Sequence, residues 1–230
     1  AGNPYGRVID QAAFGSDLVI LHKPYSSEAE QFRKLRSAIM FPGAGPMPRL
    51  VLVTSTEPGE GKSFVAANLA ATIAMNLNHH VLLVDGDLRM PSQHRLFGLR
   101  PDLGLSDHLA DRLDLAAVIQ RVALPRLSVV ASGTIPANPA ELLTSHRMVR
   151  FLDEVKNRYV DRFVIIDSPP PTVASELKIL CGLVDGVVLV LKERGPGREQ
   201  VEEIVQQIGK KKILGLVGNF AGKRSSKTYY

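Results

Sequence analysis

The chain has one cysteine and no tryptophan, and aromatic residues make up only 6% of its 230 positions. A single cysteine excludes an intrachain disulfide. Because Cys181 is surrounded by apolar residues such as Leu180 and Val184, we expect a buried, unreactive thiol. Few aromatics accompany the basic residues, so despite a formal net charge of +5 we expect no nucleic-acid partner.

Long apolar runs are also missing. No run approaches the roughly 20 residues that a membrane-spanning helix needs, and the amino terminus shows no signal-peptide pattern. Internal repeats and low-complexity segments are absent as well. We therefore expect a cytoplasmic protein, and a hydrophobic share of 45% is typical of a globular core.

Apolar runs alternate with helical patterns along most of the chain. Strands are predicted at 50–54, 81–85, 127–131, 162–167, 185–191 and 213–218, and helices at 61–77, 145–159, 172–182 and 197–209. Such alternation is typical of βαβ units. It predicts one α/β domain, a mostly parallel sheet with helices on both faces.

Composition divides the chain into three segments. Residues 1–48 form an amino-terminal segment, which breaker residues separate from a core at 49–221. Residues 222–230 are polar and basic, which is typical of a flexible tail.

A helix is predicted within the first segment, after irregular residues 1–25. Ser27 and Glu30 form a capping pattern for a helix from about 28 to 40. This helix carries three charged residues spaced three apart, Glu30, Arg33 and Arg36. They are either solvated charges with local pairing or an ion-pairing surface for another subunit.

A phosphate-binding loop is predicted between the first strand and the first core helix. Residues 56–63, called the phosphate loop below, read Thr-Glu-Pro-Gly-Glu-Gly-Lys-Ser, a Walker A pattern in which Thr56 replaces the first glycine. Backbone N–H groups and the helix start would bind phosphate oxygens. Lys62 would reach the β- and γ-phosphates, and Ser63 would hold Mg²⁺. The predicted nucleotide-binding residues are Pro58, Gly59, Glu60, Gly61, Lys62, Ser63 and Phe64.

Carboxylates end two other predicted strands, where open α/β sheets place their chemistry. Asp167 ends one strand as a Walker B residue and would hold Mg²⁺. Asp85 and Asp87 end the other and could divide metal binding and proton acceptance between them. With Lys62 they are the predicted catalytic residues. The alternative is that Asp85 caps a turn and Asp87 caps a short helix begun at Pro91.

These motifs together resemble those of the bacterial tyrosine kinases (BY-kinases) of polysaccharide co-polymerase systems. The resemblance covers about residues 27–230, with Walker A at 56–63, Walker A′ at 81–91, Walker B at 163–170, an ExxRxxR motif at Glu30, Arg33 and Arg36, a G-x-x-P-x-N-P-x-E-L-L stretch at 133–143, and a terminal Tyr229-Tyr230 pair. The family usually has more terminal tyrosines, and more often an aspartate where Glu176 stands.

The resemblance implies a P-loop kinase that uses ATP and Mg²⁺ to phosphorylate Tyr229 and Tyr230 of a neighbouring subunit. It implies a ring-like homo-oligomer, formed through the arginine-bearing helix, that regulates polysaccharide synthesis or export. A membrane-embedded co-polymerase, fused or separate, would activate it at the inner face of the cell membrane.

The resemblance also implies roles for individual residues. Asp85 would be the base toward the tyrosine hydroxyl, whereas Asp87 and Asp167 would support the metal. Asn219, at the end of the last strand, would contact adenine, unless it is only a turn residue.

Two other functions fit the same motifs. One is a partition or septum-positioning ATPase, a nucleotide switch whose loop carries a signature lysine at the position of Glu57. A carboxylate there cannot supply that positive charge. The other is a regulatory module that binds ATP without catalysis.

Overall fold

The apolar runs form one seven-stranded sheet in the computed structural model, which describes residues 10–76, 79–157, 162–171 and 176–221. In chain order the strands are β1 (Leu50–Ser55), β2 (His80–Asp85), β3 (Gln120–Arg121), β4 (Leu127–Val130), β5 (Arg162–Asp167), β6 (Gly186–Lys192) and β7 (Ile213–Asn219). Their spatial order is β3-β4-β2-β5-β1-β6-β7, and only the β3–β4 pair is antiparallel. The predicted mostly parallel sheet is confirmed.

Helices connect the strands and cover both faces of the sheet. In chain order they are α1 (Val19–His22), α2 (Ser27–Met40), α3 (Lys62–Ala74), α4 (Gln93–Phe97), α5 (Leu105–Leu109), α6 (Leu115–Val118), α7 (Pro139–Leu143), α8 (His146–Asn157), α9 (Leu177–Leu183) and α10 (Arg198–Ile208). Short 3₁₀ turns lie at Gln11–Ala13 and Lys210–Lys212. No helix in the described ranges is long and apolar enough to cross a bilayer.

Two apolar cores lie on opposite faces of the sheet. In β1, Val51 and Val53 belong to the core beneath α3, whereas Leu50 and Leu52 belong to the core beneath α8 to α10. Successive strand residues point to opposite faces. Strands β1, β2, β5 and β6 therefore read as apolar runs, because both faces are covered, whereas every second residue of the edge strand β7 is exposed.

Helix α3 is buried on almost every side. Each residue from Val65 to Ala74 is buried, and five of these ten are alanines. The small side chains let α3 lie between the sheet and a further layer formed by α1 and α2. Phe32 of α2 meets Phe64 of α3 edge to face, with ring centroids 5.6 Å apart. The described part of segment 1–48 thus packs into the same core.

Several local predictions were wrong. Residues 1–25 are not irregular throughout, since α1 and a 3₁₀ turn lie there. The cap of α2 is Ser26, whose Oγ accepts from the Ala29 N–H at 3.1 Å, whereas the Ser27 hydroxyl donates to Glu28. Strand β3 and helices α5, α6 and α7 were not predicted.

Asp185 joins three chain segments at the amino-terminal ends of β1 and β6, away from the phosphate loop, which follows the carboxyl end of β1. Its Oδ2 accepts the N–H groups of Arg49 and Leu50, both at 3.0 Å, and its Oδ1 lies 2.5 Å from Lys156 Nζ. Burial raises the pKa of Asp185, but the bonds from Lys156 and the two N–H groups outweigh it. The pKa therefore lies below its ordinary value.

We predict that Asp185→Ala lowers the free energy of unfolding by about 1–3 kcal/mol at pH 7, because two backbone donors lose their acceptor. Urea denaturation measures this. Since the folded pKa is depressed, the stabilisation is present above the unfolded carboxyl pKa of about 3.9 and is lost as the pH falls through the folded value. The difference in the free energy of unfolding between wild type and Asp185→Ala should therefore become smaller below about pH 4.

The matched control is Asp153→Ala, at an exposed position of α8, which should change stability by less than about 0.5 kcal/mol. An equal loss in both variants, or a gap that persists in acid, would contradict the role assigned to Asp185.

Candidate active site

The phosphate loop leaves β1 and leads directly into α3, as the motif predicts. Gly59 and Gly61 have φ values of +80° and +87°, in the left-handed region that favours glycine. A Cβ on Gly61 would collide with the side-chain amide of Asn219. Glycine is therefore required at this position both by the backbone conformation and by the close approach of β7.

Glu60 anchors the phosphate loop from within. Its side chain is 2% exposed, and Oε2 accepts from the Thr56 hydroxyl at 2.6 Å and from the Glu57 N–H at 2.9 Å. Oε1 accepts from the Lys192 N–H, at the end of β6, at 3.0 Å. Thr56, the departure from the Walker pattern, thus donates to a buried carboxylate. We predicted Glu60 only as a phosphate-loop position, because no motif encodes this anchor.

The end of β7 is joined to the same loop. Asn219 Nδ2 donates to the Glu60 carbonyl at 2.9 Å, and the Asn219 carbonyl accepts from the Glu193 N–H at 2.8 Å. The phosphate loop is therefore hydrogen bonded to the ends of both β6 and β7. Phe64, by contrast, directs its ring away from the loop and onto Phe32.

The predicted carboxylates converge beside the loop. Asp85 and Asp167 are register partners at the ends of the adjacent strands β2 and β5, and both are fully buried. Asp87 follows on the same turn and is 3% exposed. Parallel pairing thus brings together residues that are about 80 positions apart in the chain.

Lys62 lies among these carboxylates. Its Nζ is 2.7 Å from Asp87 Oδ2 and 3.9 Å from Asp167 Oδ1, and it donates to Ser63 Oγ at 3.3 Å. Burial lowers the pKa of Lys62, but the charges of Asp167 and Asp87 outweigh it and raise the pKa overall. The lysine therefore stays charged and offsets part of the negative charge of the cluster.

Asp85 has one oxygen engaged and one unused. Oδ2 accepts the N–H groups of Ser92 and Gln93 at 3.0 and 2.9 Å, whereas buried Oδ1 has no hydrogen-bond partner. Burial, followed by the charge of Asp167, raises the pKa of Asp85 to about 8. Burial raises the pKa of Asp167 too, opposed by Lys62.

Both aspartates of the Walker A′ turn also accept hydrogen bonds from backbone N–H groups. The capping alternative placed Asp85 at a turn and Asp87 at a helix start, and the structure shows the reverse. Asp85 holds the start of α4, which begins at Gln93 rather than at Pro91. Asp87 Oδ1 accepts from the N–H groups of Arg89 and Met90 at 3.3 and 2.9 Å and so closes the turn. The capping alternative is therefore compatible with a chemical role rather than opposed to it.

Three further residues near the site, Gln93, Arg89 and Glu176, were not predicted as site residues. Buried Gln93 donates through Nε2 to Asp167 Oδ2 at 2.9 Å and to the Ser63 carbonyl at 3.1 Å. Arg89 pairs with buried Glu176 at 2.9 Å. In the sequence, Glu176 is only a departure from the family pattern, and Gln93 belongs to no recognised motif. Only their contacts in the folded chain identify Gln93 and Glu176 as residues of the site.

The oxygen donors suit magnesium. Mg²⁺ takes oxygen ligands and usually binds through one or two carboxylates together with substrate phosphates. Ser63 Oγ, Asp87 and Asp167 offer that set, and Asp167 Oδ1 is buried without a hydrogen-bond partner. In the described ranges no three Asp, Glu, His or Cys side chains form a metal site by themselves. Ser63, Asp87 and Asp167 are therefore the residues here that fit a magnesium ion bound together with phosphate oxygens.

Glu30, Arg33 and Arg36 of α2 have contacts within the chain. Arg33 Nη1 pairs with Glu30 at 3.0 Å, and its Nη2 donates to the Pro24 carbonyl at 2.5 Å. Arg36 donates to the Thr72 carbonyl at 3.4 Å. Tyr229 and Tyr230 lie outside the described residues.

Known proteins with similar sequences include P-loop NTPases and bacterial tyrosine kinases. A family model described as ParA, "NUBPL iron-transfer P-loop NTPase", matches residues 47–229. The chain is 36% identical to the tyrosine-protein kinase YwqD of Bacillus subtilis over 92% of this chain and 88% of that protein. It is 32% identical to the putative tyrosine-protein kinase CapB of Staphylococcus aureus over 94% of each.

Solved structures agree with these sequence matches. The kinase domain of the Escherichia coli tyrosine kinase ETK superposes with a TM-score of 0.83 at 31% identity, covering 93% of this chain and 83% of that one. This chain spans only 28% of the full-length E. coli kinase. A septum site-determining protein MinD from Pyrococcus horikoshii, at 20% identity and a TM-score of 0.61, shares the fold alone.

A P-loop fold of this kind binds nucleotides, and the relatives that align along nearly the whole chain carry kinase names. The predicted family is confirmed: the chain belongs to the bacterial tyrosine-protein kinases, built on the ParA type of P-loop NTPase fold.

Proposed function

We propose that this kinase transfers the γ-phosphoryl group of ATP to Tyr229 and Tyr230 of a neighbouring copy. The observation that carries the proposal is the unused, buried Oδ1 of Asp85, close to the lysine of a phosphate loop. A buried carboxylate with an unpartnered oxygen and a high pKa can accept the proton of an incoming hydroxyl group.

Binding of ATP is assigned to the phosphate loop. Backbone N–H groups from Gly59 to Phe64 and the start of α3 would bind the phosphates, with Asn219 beside the nucleoside. Lys62 would leave Asp87 for the β- and γ-phosphates. Ser63, Asp87 and Asp167 would hold Mg²⁺, which when bound neutralises charge on the phosphates.

Asp85 acts as the base in this proposal. The tyrosine Oη attacks the γ-phosphorus, the bond from that phosphorus to the β–γ bridging oxygen breaks, and ADP leaves. The proton of the tyrosine passes to Asp85. A pKa of about 8 lies near working pH, where a base best combines availability with proton affinity.

The positioning ATPase remains the rival, because it shares the fold. At the place of its signature lysine this chain has Glu57, whose carboxylate accepts from Gln200 of α10 at 2.9 Å. An acid in that contact cannot donate to a neighbour's phosphates. This observation favours the kinase.

The proposal also includes a homo-oligomer of the kinase and a membrane-embedded partner. Glu30, Arg33 and Arg36 would form the subunit contact of a ring-like oligomer. Surface ion pairs are individually weak, so several must act together. A membrane-embedded co-polymerase would activate the kinase at the inner face of the cell membrane and so link phosphorylation to polysaccharide synthesis or export.

We predict that incubation with Mg·ATP, and with the activator segment where available, places phosphate on Tyr229 or Tyr230. Phosphotyrosine mapping by mass spectrometry measures this. Lys62→Met should abolish labelling, and Asp85→Asn should lower its rate by about 10²–10⁴-fold, as removal of a general base does. The control Lys178→Met, at an exposed position of α9, should label normally.

Phosphate elsewhere but not on the tail, or undiminished labelling in Lys62→Met, would refute tail autophosphorylation by this site. ATP hydrolysis stimulated by DNA or lipid without phosphotyrosine would favour the positioning ATPase. Binding without turnover would favour the regulatory module.

A second prediction concerns the anchor of the phosphate loop. Glutamine offers one acceptor oxygen where Glu60 offers two, and its NH₂ group would face a backbone donor. Glu60→Gln should therefore weaken ATP binding roughly tenfold, measured by calorimetric titration. Glu57→Gln changes a side chain on the same loop that takes no part in this anchor, and keeps the Glu57 N–H, so it should bind nearly as wild type. Equal affinities in both variants would contradict the anchoring role.

A third prediction concerns assembly. Arg33→Ala combined with Arg36→Ala should lower the mean oligomer mass in light scattering, because both cations of the proposed contact are lost. Lys34→Ala, which removes an exposed charge from the same helix, should leave the mass unchanged. An unchanged mass distribution in the double variant of an oligomeric preparation would reject this contact.

A further inference from the structure

The two sides of the phosphate loop face different surroundings. Lys62 faces the carboxylates of β2 and β5. Glu60 and Gly61 face the end of β7, where Asn219 makes its bond to the loop. The transferred phosphoryl group belongs among the carboxylates, because the metal ligands and the base are there. The nucleoside of a bound nucleotide must therefore extend toward the ends of β6 and β7.

An exposed aromatic side chain lies on that nucleoside side. Phe220 follows β7 directly and is 59% exposed, although large apolar side chains usually lie inside. Its Cε2 is 3.5 Å from the point that a Cβ on Gly61 would occupy, so the ring borders the phosphate loop. Lys192 Nζ lies over the ring, 5.7 Å from its centroid.

The backbone of Phe220 is strained to hold this position. Its φ is +57°, a left-handed conformation that is an outlier for a bulky residue. Both hydrogen bonds of the preceding Asn219, to Glu60 and from Glu193, hold the turn in place. Strain that is kept by surrounding bonds clusters at ligand sites. No apolar core explains this ring, since it belongs to neither core cluster.

We propose that Phe220 is the surface on which the nucleotide base stacks. The assignment rests on the nucleotide site proposed above and adds a base-binding residue to it. A ring binds any base through its π-face, so the ligand class is a nucleotide with a large, flat base, with purines favoured. The Lys192 ammonium lies over the ring and places a positive charge beside it.

The test separates base binding from phosphate binding. ATP and inorganic tripolyphosphate, each with Mg²⁺, are titrated into the full chain and its variants by calorimetry. Phe220→Ala should weaken ATP binding roughly 5- to 100-fold, as loss of one stacked base does, and leave tripolyphosphate binding unchanged. Phe220→Trp should bind ATP as wild type or more tightly.

Two further variants guard against an indirect effect. Phe220→Asn removes the ring but tolerates the left-handed backbone, so it should lose ATP affinity as alanine does while keeping the thermal midpoint. Leu216→Ala removes a similarly exposed apolar side chain from β7, the strand before Phe220, and should bind both ligands as wild type.

Unchanged ATP affinity in Phe220→Ala and Phe220→Asn would overturn the stacking role and leave the proposed kinase site intact. Equal losses for ATP and tripolyphosphate would also overturn it, because the ring would then only support the loop. Failure of the wild type to bind either ligand would instead refute the proposed nucleotide site itself.

Discussion

The active site depends on one electrostatic arrangement, the ammonium of Lys62 among Asp85, Asp87 and Asp167. Three carboxylates in a buried place repel one another and are costly to ionise. The lysine offsets part of that cost, and backbone donors at Ser92 and Gln93 offset more. What remains is the raised pKa of Asp85, which burial and then the charge of Asp167 cause.

The sheet makes this arrangement possible by dividing the site into two sides. β1 has β5 as one neighbour and β6 as the other, so the loop that follows it lies at a point where the strand order changes direction. The strands on one side end in the carboxylates, and those on the other end in Lys192 and Asn219. Glu60 spans the boundary, because its carboxylate binds both the loop and β6. In the proposed function, phosphoryl transfer and nucleoside binding therefore lie on opposite sides of one loop.

Prediction from sequence succeeded where a single pattern dominates and failed where contacts between distant segments decide. The six parallel strands were predictable because each is rich in apolar residues. β3 was not, since Gln120–Arg121 has no apolar pattern and pairs only because β4 lies beside it. The cap of α2 moved from Ser27 to Ser26 because the hydroxyl that reaches an N–H depends on backbone geometry. Gln93 carries no motif and becomes part of the site only through its bonds to Asp167 and Ser63.

The sequence by itself determined the family, the parallel sheet, and the phosphate-loop motif with carboxylates at the ends of two other strands. These are encoded locally, in short motifs whose spacing is set by one strand and the turn that follows it. Only the tertiary structure decided which atoms are in use and which are free. In the folded chain Asp85 Oδ1 has no hydrogen-bond partner, and Glu60 accepts a hydrogen bond from β6. The ring of Phe220 is exposed beside the loop. Hydrogen bonding, burial and charge at each atom are set by neighbours far away in the chain, so no local pattern encodes them.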